Sequence, residues 1–159
     1  MPERYRSIVD VYVLLRKDSK ILLMERANTG YADGQLCPPS GHLEEGESVV
    51  DGAVREAAEE VGITLHPDDL QCVHVVHHRN PQGQGRIGFF FSVDRWEGEP
   101  ENQEPHKCAN LLWVDPDYLP SNTVEYTAAA VAQIRAGCTF STHGWEERGH
   151  FHAVAGPVP

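Results

Sequence analysis

Positive charge is scarce in this sequence: 13 Lys and Arg stand against 24 Asp and Glu, a formal net charge of −11. Gripping duplex nucleic acid by its phosphates needs clustered cations, so the balance argues against that function. A small phosphorylated substrate remains open, provided a cation mediates the contact. Cysteine is sparse too. Cys37, Cys72, Cys108 and Cys138 lie far apart with no CxxC and no zinc-like spacing, which predicts free thiols in a reducing cytoplasm. No apolar run approaches the ~20 residues a membrane helix needs. The opening decapeptide MPERYRSIVD carries charge but no apolar stretch, so no signal peptide is expected. Repeats, low-complexity tracts and dividing linkers are missing as well, and the 159 residues read as one domain able to bury a core.

What is there alternates between strand and helix patterns. IVDVYVLLRKDSKILLMERA is two β-rich runs joined by Lys17-Asp18-Ser19-Lys20, a hairpin. NTGYADGQLCPPSGHLEEGE is loop-rich, with room for one short strand near Gln35–Pro38. Ser48 opens a helical pattern, with Asp51 at the capping-box position and Gly62 as its stop. LQCVHVVHHR and RIGFFFSVDRW are β-like and flank the turn NPQGQG; CANLLWVD is a further short strand; TVEYTAAAVAQIRAG is a helix ended by glycine. From Cys138 onward the polarity is mixed and aperiodic, which predicts an irregular extension over residues 138–159, its GHFH segment a disordered tail. Strands interleaved with two helices predict an α/β sandwich with a mixed sheet.

The first helix carries its acids in an unfavourable place. Glu56, Glu59 and Glu60 sit near its C-terminal end, where the macrodipole is already negative and like charges at i,i+4 repel. At roughly 100° per residue they share about a third of the circumference, beside the apolar seam of Val50, Ala53, Val54, Ala57 and Val61. Gly52, one turn earlier in the same sector, costs roughly 1 kcal/mol of helix propensity against Ala and leaves a gap. A solvated acidic face explains neither feature. A hard divalent cation explains both: Mg²⁺ takes oxygen ligands and shares itself between carboxylates and substrate phosphates. Gly41 and Gly46 bracket a tight turn, GHLEEGE, whose carbonyls can approach an ion, and Glu47 with Arg55 can pin that turn to the helix.

The segment GHLEEGESVVDGAVREAAEEVGI, Gly41 to Ile63, resembles the Nudix box at every fixed position: Gly, five residues, Glu, seven residues, then Arg-Glu-apolar-x-Glu-Glu-x-Gly-apolar. The resemblance implies a Nudix-type α/β/α sandwich over about residues 1–137 and Mg²⁺ dependence, with Mn²⁺ as a substitute. It also implies hydrolysis of a diphosphate linked to another moiety X. It assigns Glu56, Glu59 and Glu60 as metal ligands, one of them acting as a base through water, and the Ser40 carbonyl as a further ligand. Gly41, Glu47, Arg55 and Gly62 become structural positions of the motif. Ser40 stands where the family often has glycine, a mild departure because only a backbone carbonyl is used.

Outside the box, DRWEGEPENQEP resembles a segment of MutT-type 8-oxo-dGTP diphosphatases that ends in a metal-binding Glu, here Glu104, with Glu101 as competitor. YLPSN resembles their base-binding segment, which implies Asn122 as a base contact; the same residue also suits the N-cap of the second helix. Arg26 lies at the spacing of a phosphate-contacting arginine, or is an exposed strand end. Arg86 and Phe89, Phe90 and Phe91 line a base pocket, or one or two of those rings are core. His74, His77 and His78 cannot all face one ion because strand side chains alternate; they read as strand-surface residues, with His74 and His78 reaching the cleft. VVHHRN lacks the Pro or Tyr that marks the ADP-ribose and dinucleoside-polyphosphate subfamilies. The expected activity is conversion of a (deoxy)nucleoside triphosphate such as 8-oxo-dGTP to monophosphate and pyrophosphate. ADP-ribose, a pyrimidine or pterin triphosphate, a dinucleotide, or nucleotide sensing without turnover stand as alternatives. A small-molecule nucleotide is the expected partner, with neither duplex nucleic acid nor membrane, and a homodimer is allowed.

Overall fold

A computed structural model describes residues 1–145 and 153–155. Strand β1 (Ile8–Lys17) turns back into β2 (Lys20–Arg26) through Asp18 and Ser19, both at positive φ (50° and 62°). That is the two-residue hairpin turn whose twist matches the flanking strands. Two short strands follow, β3 (Leu36–Cys37) and β4 (Ser40–His42), and then helix α1 (Val49–Val61). Beyond it come β5 (Gln71–Arg79), β6 (Gly85–Val93), β7 (Cys108–Val114), helix α2 (Glu125–Arg135), β8 (Cys138–His143) and β9 (Ala153–Ala155). Among the described residues the strands form one mixed sheet in the order β3-β2-β1-β6-β5-β8-β9; β4 also pairs with β1, and β7 with β2. β1 runs parallel to β6, and β5 parallel to β8.

The period-2 pattern of β1 builds a core on each face of the sheet. Val11, Val13 and Leu15 point to one side, with Leu22 and Met24 of β2, and pack on Ala53, Ala57 and Val61 of α1. Tyr12 and Leu14 point to the other, with Ile21, Leu23 and Phe90, under Tyr126, Ala130 and Val131 of α2. The result is the expected α/β/α sandwich. Phe90 and Phe91 are both core residues, one on each side.

Three sequence-based expectations are corrected. The extension does not begin as irregular chain: Cys138–His143 is a sheet strand, with Val75, Val76, His77 and His78 registered against Phe140, Ser141, Thr142 and His143. His74 is not a surface residue but 1 % exposed. Its Nδ1–H donates to the Cys138 carbonyl (2.8 Å), and its Nε2 accepts from the Ser141 hydroxyl (2.7 Å). Because β8 buries polar groups against this histidine, its sequence shows no hydrophobic alternation. Asn122 does not cap α2 either; the N-cap is Val124, with no side-chain hydrogen bond. The GHFH segment lies outside the described residues.

Candidate active site

Ser48 caps α1 by accepting from the Asp51 N–H, and the Asp51 carboxylate returns the bond to the Ser48 N–H. Gly62 ends the helix at φ 70°, left-handed, donating to the Ala58 carbonyl. The orphan carbonyls at this end recruit the next part of the site. Glu60 and Val61 carbonyls accept from the N–H groups of Gln103 and Glu101, which ties the 101–104 loop to the helix end. Asn102 stiffens that loop, donating to the Cys108 carbonyl and accepting from the Glu104 N–H. β7 then pairs with β2 so that Cys108 stands opposite Arg26. Helix, loop and hairpin end thus converge on one cleft of about 760 Å³, bordered by Arg26, Ser40, Glu56, Glu59, Glu60 and Glu104.

Arg55 organises the glutamates. Its guanidinium grips Glu47 with two hydrogen bonds (3.0 and 2.7 Å) and donates to the His42 carbonyl (3.0 Å), fastening the turn to the helix. That grip holds the Glu47 carboxyl down at about 2 and raises the guanidinium's own pKa. Nη1 also reaches Glu56 (2.8 Å) and the exposed Glu59 (3.2 Å). Gly52 does not leave a hole for an ion. A Cβ there would meet Leu43 and Glu47, each at 3.1 Å, so the glycine makes room for the turn. The close approach that matters is at Gly41, where any Cβ would strike the Glu56 carboxylate.

Glu56 is 8 % exposed, and burial raises its pKa against the opposing pull of Arg55. Glu60 accepts from the Ser40 N–H at 2.9 Å. Burial first, then the neighbouring charges of Glu56 and Glu104, push it up to about 8. Lys107 Nζ donates to the Glu104 carboxylate at 3.2 Å and offsets part of that repulsion. Glu101, its competitor in the sequence reading, does not border the cleft. The side chains form no ready-made cluster of three or more metal-ligating groups among the described residues. Yet Glu56, packed against the Cβ-free Gly41, together with Glu60 and Glu104 sets three mutually repelling carboxylates on one cleft, and these fit a hard divalent cation by their donor chemistry.

The remaining predicted residues divide. Arg26 borders the cleft while anchoring the 29–31 loop: its Nε donates to the Tyr31 carbonyl, Nη2 to Thr29, and the guanidinium lies 5.5 Å from the Tyr31 ring. Arg86 borders it at the far end, paired with Asp10. Asn122 is elsewhere, donating its amide to the Gly34 carbonyl outside the cleft lining. Sequence reasoning missed Asp10, Tyr12, Tyr126, Thr127 and Lys107, all of which border the cleft. Lys107 carried a readable signal, lying three residues after Glu104; the others are single polar residues within apolar patterns.

The NUDIX domain family model matches residues 4–133. The chain is 30 % identical over 114 residues to the 8-oxo-dGTP diphosphatase of Escherichia coli, covering 70 % of this chain and 86 % of that one. It is 36 % identical over 107 residues to an ADP-ribose pyrophosphatase of Methanocaldococcus jannaschii, 67 % of this chain but 61 % of the relative's length. Among solved structures, a MutT NUDIX hydrolase from Burkholderia pseudomallei superposes with a TM-score of 0.73 at 26 % identity, covering 80 % of this chain and 98 % of that one. A MutT protein from Methanosarcina mazei, at 22 % identity and a TM-score of 0.71, covers 85 % and 97 % and supports the fold.

Proposed function

This chain belongs to the NUDIX family and is a Nudix hydrolase, and we propose that its substrate is a (deoxy)nucleoside triphosphate such as 8-oxo-dGTP, cut to the monophosphate and pyrophosphate. One observation carries the reading. Glu56, Glu60 and Glu104 face a single cleft that also holds Arg26 and Lys107, an arrangement that suits a polyphosphate held through a cation. Glu56, Glu59, Glu60 and Glu104, with the Ser40 carbonyl, would hold Mg²⁺ or its substitute Mn²⁺. When bound, the ion supplies charge neutralisation on the phosphate oxygens and acidifies a water.

The chain's own residues do the rest. Arg26 and Lys107 draw the phosphates in. One box glutamate takes a proton from the attacking water as its oxygen bonds to one phosphorus of the α–β anhydride, and the bridging P–O bond breaks with its electrons leaving on the other half, so that monophosphate and pyrophosphate separate. Arg55 holds Glu56 and the turn in register throughout. A cytoplasmic location belongs to the same proposal; no helix of the described residues is long and apolar enough to cross a membrane.

The test is a metal-dependent hydrolysis panel over nucleoside triphosphates, 8-oxo-dGTP, ADP-ribose and dinucleoside polyphosphates, scored for pyrophosphate against AMP. Pyrophosphate release from triphosphates, lost on chelation, is expected; no pyrophosphate from any triphosphate would overturn the reading. Similarity to an ADP-ribose pyrophosphatase favours ADP-ribose as the second reading, whose signature is AMP with ribose 5-phosphate.

A further inference from the structure

With Asn122 committed to Gly34, recognition of the group beyond the phosphates falls to the far end of the cleft. There the α2 face of the sheet presents a polar patch that the hydrolytic chemistry does not use. Arg86 of β6 donates Nε to Asp10 Oδ2 (2.8 Å) and Nη2 to Asp10 Oδ1 (2.7 Å). His42 adds a contact of 2.7 Å to Asp10 Oδ1. The Asp10 side chain is 6 % exposed and that of Arg86 19 %, so the guanidinium is fixed in a wall of the cleft. Nη2 also lies 3.0 Å from His42 Nδ1, while Nη1 has no protein partner among the described residues.

The same wall is aromatic. Tyr12 stacks on Phe90 (4.4 Å, 7°) and Tyr126 leans against it (5.5 Å). Gly88 lacks the Cβ that would strike the Tyr126 hydroxyl. Beside Tyr126, Thr127 is 1 % exposed and its hydroxyl has no hydrogen-bond partner; buried hydroxyls are ordinarily satisfied. Two polar groups on one aromatic-walled end of the cleft therefore await an acceptor.

We propose that Arg86, held by Asp10 and seconded by Thr127, reads the base of the nucleotide and selects rings that present a carbonyl oxygen over rings that present an amine. This rests on the nucleotide reading above. A guanidinium has donors only. A ring carbonyl accepts from Nη1; an amine in its place sets donor against donor and leaves both without partners. The patch is not a phosphate site. Asp10 neutralises Arg86, whose charge acts on Tyr12 and Tyr126, whereas the charge of Arg26 acts on Glu60 and Lys107 pairs with Glu104.

The test uses nucleotide pairs that exchange oxygen for amine on the ring: IMP against AMP and UMP against CMP in calorimetric binding, and the matching triphosphates for kcat/KM. The wild type should prefer the carbonyl member of each pair by about tenfold or more. Arg86→Gln alone leaves the buried Asp10 carboxylate with His42 as its remaining partner, so Asp10→Asn/Arg86→Gln is the informative variant, its fold verified by thermal unfolding. Gln both donates and accepts, so the preference should collapse in Kd and KM, while Thr127→Val weakens binding of the carbonyl member and Thr127→Ser restores it. Equal binding of both members by the wild type, or a preference that survives the double variant, overturns the proposal. If triphosphates are not hydrolysed but the monophosphate preference holds, the reaction assignment fails and this one stands; hydrolysis without discrimination means the reverse.

Discussion

At the scale of single residues, the site stores unfavourable electrostatics that a ligand can relieve. Glu60 shows it most directly: its carboxyl sits at about 8 because it is buried beside Glu56 and Glu104. A carboxyl raised above its unfolded value, near 4.5, binds more protons folded than unfolded in between. Its contribution to stability is therefore present below about pH 4.5 and lost as pH rises toward 8. Glu60→Gln keeps an acceptor for the Ser40 N–H but removes the charge. In metal-free protein the variant should exceed the wild type in Tm at pH 8 and match it near pH 5, while its kcat falls by a factor of about 10² or more. Near-full turnover at saturating Mg²⁺ would remove Glu60 from the metal set. Coincident Tm profiles would contradict the buried, repelled carboxylate.

At the scale of elements, two joints fix the walls of the cleft, and each can be broken selectively. Gly88 lets α2 settle with the Tyr126 hydroxyl on the sheet, so a methyl group there meets that hydroxyl, the Tyr12 ring and Val76. Gly88→Ala should cost about 1–3 kcal/mol in denaturant unfolding, as overpacking does, and adding Tyr126→Phe should recover part of it; an additive pair of losses would place the clash elsewhere. The other joint is His74, which ties β5 to β8 in a neutral form because burial lowers its pKa. The unfolded chain then binds the extra proton first, so stability falls as pH drops below about 6.5. His74→Gln should flatten that acid slope between pH 6.5 and 5, and an unchanged slope would move the titrating group to another residue. These joints also explain what the sequence could and could not convey. The hairpin and α1 were legible because Asp18-Ser19, the Ser48–Asp51 capping box and Gly62 are local signals. β4 and β8 were not, since one is three residues long and the other hides its burial behind Ser141 and His74. The carboxylate helix was legible in its contiguous motif, Gly41 to Ile63, although the gap read at Gly52 is filled by Leu43 and Glu47, whereas Arg86 and Asp10, 76 residues apart, meet only through the β1–β6 pairing.

At the scale of the whole molecule, a chain of net charge −11 concentrates its strain at one end of α1, and the two effects of added salt can be separated there. Screening of dispersed surface charge depends on ionic strength, with a Debye length of about 10 Å at 0.1 M. It should therefore be the same for NaCl and MgCl₂ at matched ionic strength. Binding at the glutamates is different: a ligand that holds only the folded state adds RT ln(1 + [L]/Kd), about 2.7 kcal/mol at a hundredfold excess over Kd. For a protein of this size that amounts to roughly 5–10 °C in Tm. Thermal unfolding in MgCl₂ should exceed the NaCl control by an amount of that order and rise logarithmically with concentration. Glu60→Gln/Glu104→Gln should lose the excess while keeping the screening response, because Lys107 and Ser40 retain acceptors but the cation loses two of its charges. A Tm rise that NaCl reproduces, or that the double variant retains in full, would place the ion away from these side chains. The cleft would then need another way to neutralise a polyphosphate, and Arg26 and Lys107 cannot supply it beside Glu56, Glu60 and Glu104, of which Lys107 already pairs with the last.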